Sequence, residues 1–176
     1  TRLYTESGDL SNPAVQSRFS YYEVIGVPSV IFNGKVQVNG SDVGIGDGSL
    51  YNQALNGFRF SSSPLWISLS NFNANSGAIA GNVEMVSPTE NIINANLVYY
   101  LVENAVSATD THVLRAVHSE DISISGGGTV LPFSHTFGIS PTWNTANLWA
   151  IVFVQLANKA ILQSVSSLPQ PNYNFR

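Results

Sequence analysis

Two hydrophobic rhythms divide this chain. Up to about residue 60, helical spacing and short β runs are mixed; beyond residue 64 every apolar segment reads as a strand. Asn12-Pro13 is a helix start, with Asn12 as N-cap and Pro13 at the first helical position. Ala14, Val15, Arg18, Phe19 and Tyr22 then fall on one stripe, which predicts a helix to about Tyr22, with Arg18 snorkelling or paired. Val30-Ile31-Phe32 and Val36-Gln37-Val38 flank Asn33-Gly34. Asn-Gly between two such runs predicts a hairpin, because a type I′ turn needs positive φ at both central residues. Pro28 heads the first strand, where a missing N–H costs no ladder bond. A second helix is expected from about Ser49 to a closing Gly57, with Leu50, Ala54, Leu55 and Phe58 as its apolar face. A short strand over Arg2–Thr5 precedes all of these.

Ser61-Ser62-Ser63-Pro64 marks a boundary. After it come seven short β patterns: Leu65–Ser70, Ala78–Val86, Asn96–Glu103, His112–Val117, Thr129–Phe137, Leu148–Leu156 and Ala160–Val165. Gly, Asn, Pro and Ser clusters separate them, which argues a β-sandwich. The predicted organisation is therefore an α+β portion over residues 1–60, a sandwich over 65–166 and an extended tail over 167–176, which carries two prolines.

Composition narrows the function. Apolar residues make up 44% of the 176, enough for a core, but charged residues only 10%, against about 25% in ordinary globular domains. Ser, Asn, Thr and Gly carry the polarity, a profile that suits an extracellular or cell-surface β-protein. The net charge is −4 and the seven basic residues are scattered, so no nucleic-acid footprint exists. The absence of cysteine excludes disulfides, thiolate metal sites and dithiol chemistry within these residues. No apolar run reaches the roughly 18–20 residues that span a bilayer. A chain running from Thr1 to Arg176 without an initiator Met suggests a processed product.

Candidate chemistry is sparse. His112 and His118 sit six apart, about 20 Å along a strand, too far for one metal ion; with His135 they read as scattered surface histidines. Ser, His and Asp are present without a nucleophile elbow. The loop Ser41–Ser49 holds Asp42 and Asp47 but lacks EF-hand spacing. Glu84, Glu90, Glu103, Glu120 and Asp121 are dispersed, with no pair suited to acid–base work. Asn39-Gly40-Ser41 matches a glycosylation sequon. Trp66, Tyr99, Tyr100, Trp143 and Trp149 lie in or near predicted strands; about half should be core, and exposed ones would serve a carbohydrate or protein contact. No catalytic residue, cofactor or metal ligand is expected.

The segment Gly26-Val27-Pro28-Ser29-Val30-Ile31-Phe32-Asn33-Gly34 resembles the thioredoxin fold, and the resemblance implies that Pro28 is a cis-proline. Leu97–Glu103, the segment His112–Ala116, Trp143-Asn144 with Asn147, Ala150–Gln155 and Lys159–Gln163, in that order, are similar to the Omp28-related family of bacterial outer-membrane-associated and secreted proteins. That resemblance implies a thioredoxin-like part followed by an immunoglobulin-like sandwich. The family's thioredoxin part opens with a strand and a C-x-x-C helix, and this chain begins after them, leaving a partial thioredoxin-like βαββα. A second polypeptide is therefore expected to complete the first sheet, either the protein's own N-terminal fragment or another copy of the chain. Function is expected to be non-enzymatic: an extracellular or cell-surface binding or structural protein, an adhesin or assembly subunit. The alternative is a thiol-disulfide oxidoreductase whose C-x-x-C lies in an absent upstream segment.

Overall fold

The computed structural model of the chain describes residues 12–26, 28–40, 48–108 and 111–168. The strand expected over Arg2–Thr5, the acidic loop at 41–47 and most of the tail lie outside the described residues, as does Val27, whose peptide bond to Pro28 the cis expectation concerns.

Helix α1 runs Pro13–Tyr22. Asn12 Oδ1 accepts the Val15 N–H at 3.0 Å and Pro13 takes the first turn, so the orphan donors of the helix start are relieved as the sequence predicts. The helix stops at Glu23, whose φ of 55° turns the chain out while its N–H still reaches the Phe19 and Ser20 carbonyls. Strands β1 (Ser29–Phe32) and β2 (Val36–Asn39) pair antiparallel. Between them Asn33 and Gly34 have φ of 49° and 71°, the left-handed values that selected Asn-Gly for this turn. Helix α2 (Ser49–Asn56) follows. Among the described residues its expected apolar face is largely uncovered: Ala54 is buried, but Leu50 and Leu55 are 47% and 52% exposed.

The seven expected strands all form: β3 (Leu65–Asn73), β4 (Ala78–Met85), β5 (Asn91–Glu103), β6 (Val113–Ser125), β7 (Val130–Thr136), β8 (Leu148–Leu156) and β9 (Ile161–Ser166). They make two antiparallel sheets, ordered β3-β4-β7 and β6-β5-β8-β9. β5 and β6 are longer than their apolar patterns. β6 continues through the polar Ser119-Glu120-Asp121 because these residues pair with Val98, Leu97 and Asn96 of β5, so partner and not pattern sets their length. Asn94, with φ of 55°, marks the bulge that shifts the register between Ile92 and Ala95.

The two sheets pack face to face on one core, in which Ile67, Ile79, Val83, Leu97, Tyr99, Leu101, Phe133 and Val152 are buried. A second cluster lies on the opposite face of the four-stranded sheet: Val98, Tyr100, Val102, Leu114, Trp149 and Phe153, with Val15 of α1 set among them. The four-stranded sheet is thus buried on both sides. That is why Leu97–Val102 and Trp149–Val154 are unbroken apolar runs and not alternating ones. The described chain is three layers deep: α1, the four-stranded sheet, the three-stranded sheet.

Candidate functional site

The residues expected to carry chemistry are placed as follows. Pro28 heads β1 and is exposed; its carbonyl accepts the Gly40 N–H at 2.8 Å, closing the open end of the hairpin. Asp42 and Asp47 lie outside the described residues. His112 meets the edge of the Trp149 ring. His118 and His135 are not scattered on the surface. They come from different sheets and stack, centroids 3.9 Å apart with planes within 2°. Tyr99 lies against both rings, and its hydroxyl donates to Glu120. Burial, then the Glu120 carboxylate, push the Tyr99 hydroxyl well above the usual phenol range. Burial, then His118, hold His135 below the ordinary imidazole value, with Glu120 opposing. The carboxylates read as dispersed include one buried ion pair: Arg115 Nε to Glu103 Oε2 at 2.7 Å, both about 95% hidden. Glu103 Oε1 also accepts the Asn144 N–H at 2.8 Å, so the pair pins the loop after β7 to the sheet.

Arg18 is the joint between the first elements and the sandwich. It is 6% exposed, and its guanidinium donates to Tyr22 Oη and to Gln155 Oε1, each at 2.9 Å. Its carbon lies 4.4, 4.7 and 5.4 Å from the centroids of Tyr21, Tyr22 and Tyr100, a cation–π cage. Burial pushes the Tyr21 and Tyr100 hydroxyls up, and Arg18 pulls the other way. Gln155, 1% exposed inside β8, also donates to Tyr22 Oη and to the Lys159 carbonyl. Gln155 passed unnoticed in the sequence; a lone amide inside Trp149–Leu156 was its only signal. The hairpin turn docks beside it, with Asn33 O accepting the Ile161 N–H at 3.1 Å. These contacts are architectural.

The aromatics divide sharply. Tyr99, Tyr100 and Trp149 are buried, Trp143 is half-buried with its ring 5.9 Å from the Arg115 guanidinium, and Trp66 is 59% exposed. Trp66 stands on the outer face of the three-stranded sheet. There the register sets Trp66, Glu84 and Val130 in one row, Ser68, Asn82 and Pro132 in the next, then Asn71, Ala80 and Ser134, and Asn73, Ala78 and Thr136. The other sheet's outer face carries α1. This one carries mostly small or polar side chains, with Glu84, Val130 and Pro132 among them, and presents one large indole.

A shallow cleft of about 230 Å³ opens at the β5–β6 bulge, lined by Asn94, Asp121, Ile122 and Ser123. It offers a single carboxylate and no second acid or base. Among the described residues no group of three or more His, Cys, Asp or Glu is placed to hold a metal ion, and no helix is long and apolar enough to cross a membrane.

No family model and no curated protein matches the chain. Among solved structures it is similar to parts of glycosidases. A glycoside hydrolase family 2 β-glucuronidase aligns at 15% identity and a TM-score of 0.38, over 61% of this chain and 11% of that one. A Kluyveromyces marxianus β-glucosidase aligns at 17% and 0.33, over 59% and 14%. A Bifidobacterium adolescentis family 3 β-glucosidase aligns at 12% and 0.29, over 65% and 19%. The chain spans less than a fifth of each, and likenesses this slight carry no argument about activity.

Proposed function

We propose that the chain is a non-enzymatic binding or structural module of an extracellular or cell-surface protein, an adhesin or an assembly subunit, and that the outer face of β3-β4-β7 is its contact surface. The observation that carries this reading is the asymmetry between the two sheets. One outer face is covered by α1 through Val15 and Arg18. Among the described residues the other is uncovered, with Trp66 exposed among Ser, Asn and Thr side chains, Glu84, Val130 and Pro132. An exposed indole stacks on flat ligands, and hydroxyls and amides around it hydrogen-bond to a polar rim. A polysaccharide fits that chemistry. The strand order also supports an immunoglobulin-like topology for the sandwich, since β3, β4 and β7 share one sheet while β5 and β8, the third and sixth strands of the sandwich, are central in the other.

Electrophoresis through gels containing soluble β-glucan, xyloglucan or mannan tests the surface. The wild-type chain is expected to be retarded in at least one gel and Trp66→Ala to run freely, with an unchanged thermal midpoint. If no gel retards the wild type, sedimentation velocity decides between the two remaining cases. Self-association that Trp66→Ala abolishes leaves the assembly role. A monomer in both forms sinks the contact surface.

A second reading rests on the hairpin. The order α1-β1-β2-α2 with Pro28 at the head of β1 is similar to the later part of a thioredoxin-like domain, and an Omp28-related protein would supply the missing strand from an upstream fragment or another copy. A longer chain with a C-x-x-C helix next to Pro28 would then reduce insulin. Its failure to do so would leave the binding role alone.

A further inference from the structure

We propose that the His118–His135 stack is a latch between the two sheets that opens on acidification. The sheets meet along two edges. At the β3–β9 edge Gln163 Nε2 donates to the Leu65 carbonyl at 3.2 Å, a bond that no proton exchange near neutrality alters. At the β6–β7 edge the two sheets meet through the imidazole pair, centroids 3.9 Å apart and nearly parallel.

All but one of the pair's neighbours favour neutral rings; the exception is the Glu120 carboxylate. Tyr99 of β5, the register partner of His118, lays its ring 5.5 Å from His118 and 5.6 Å from His135. Phe137 meets His135 edge-on at 4.6 Å, and Phe133 packs edge-on against Tyr99. Ile79 of β4 is the register partner of His135. Among the described residues the titratable groups facing the pair are Glu120 on β6 and Tyr99 on β5; β4 brings the apolar Ile79, β7 Phe133, and Phe137 follows just after β7. Tyr99 stays neutral, since burial pushes its ionisation far up. Glu120 carries one negative charge, already bonded by the Tyr99 hydroxyl. It compensates one imidazolium. A second proton sets two like charges face to face in a half-buried site.

The sign follows from His135, which burial and His118 hold below the ordinary imidazole value. A histidine whose folded-state pKa is depressed stabilises the fold while neutral. Its contribution is whole above the unfolded value of about 6.5 and is lost as the pH falls through the lower folded value. The stack breaks first, and the β6 and β7 edges part.

Thermal midpoints and amide protection factors of the intact chain, measured from pH 8 to pH 5, test the latch in the wild type, His118→Gln, His135→Gln and the control His112→Gln. The wild type and the control are expected to lose about 3–6 °C more than the two stack variants below pH about 6.5. At pH 5 wild-type protection should fall in residues 117–120 and 131–136 and hold in 65–69 and 161–165. Equal pH profiles in the wild type and both stack variants overturn the proposal. So does equal loss of protection at both edges, and that pattern decides alone if the variants fail to fold.

Discussion

Gly34 is a position where a methyl group has no room. A Cβ there would sit 1.9 Å from the Lys159 carbonyl oxygen, which is backbone and cannot step aside, and φ is already +71°. Gly34→Ala therefore suffers twice, from a left-handed conformation that side chains resist and from a collision that lifts the hairpin off the β8–β9 turn. The expected loss is on the order of 2–4 kcal/mol by urea denaturation, whereas alanine at Gly40, which also has positive φ but nothing within 4 Å, should lose about 1 kcal/mol. Equal losses at the two positions would show that the contact with Lys159 contributes nothing. The turn itself was legible, because Asn-Gly between two β runs reports local backbone geometry. Its docking was not, because Lys159 lies far along the chain and its carbonyl has no sequence signature. The same holds for Glu103 with Arg115 and for His118 with His135: each residue is ordinary in its own segment, and only the sheet register and the packing of one sheet on the other bring the partners together.

The existence and type of each element in the described residues were the most legible level. All seven strands of the sandwich and both helices were marked by alternation, caps or turn residues, and β5 and β6 outran their patterns because polar segments can pair when the neighbour supplies the ladder. What each element packs against was less visible, although the unbroken runs Leu97–Val102 and Trp149–Val154 did carry the signal: strands apolar on both faces need cover on both. α1 provides part of that cover. Val15 has no solvent exposure, and Asn12 Nδ2 donates across to the Leu114 carbonyl at 2.9 Å. Val15→Ala removes two methyl groups from a closed site and should cost about 2 kcal/mol. Because α1 touches one face of one sheet, the loss should appear as local undocking. Limited proteolysis is expected to cut within residues 13–24 several-fold faster in the variant, while cleavage within β5 and β8 stays at the wild-type rate. Parallel acceleration at both places would mean that α1 and the sandwich unfold as one unit.

At the scale of the whole molecule the question is whether the Ser61–Pro64 boundary separates units that fold alone. The sequence supports a boundary there, since the pattern changes character and the segment is polar. The structure gives that boundary an energetic cost. A chain cut to residues 61–168 keeps the core between its sheets but loses the cover over the second cluster, so that Val98, Tyr100, Val102, Trp149 and Phe153 lose their protection by α1. It also loses Arg18 and Tyr22, the partners of the buried Gln155 amide. With about 1.5–3 kcal/mol at stake for each fully buried large side chain, and only part of each covered by α1, the shortened chain should be less stable by on the order of 5 kcal/mol. It should bind a hydrophobic dye and associate at concentrations where the longer chain does not. Differential scanning calorimetry and dye fluorescence on the two chains measure this directly. An equal melting temperature and no dye binding would make the sandwich an autonomous domain with the helices and hairpin as an appendage. The expected drop would make α1 the third layer of a single cooperative fold, held on by Arg18 and Val15, with the hairpin docked through the turn at Gly34.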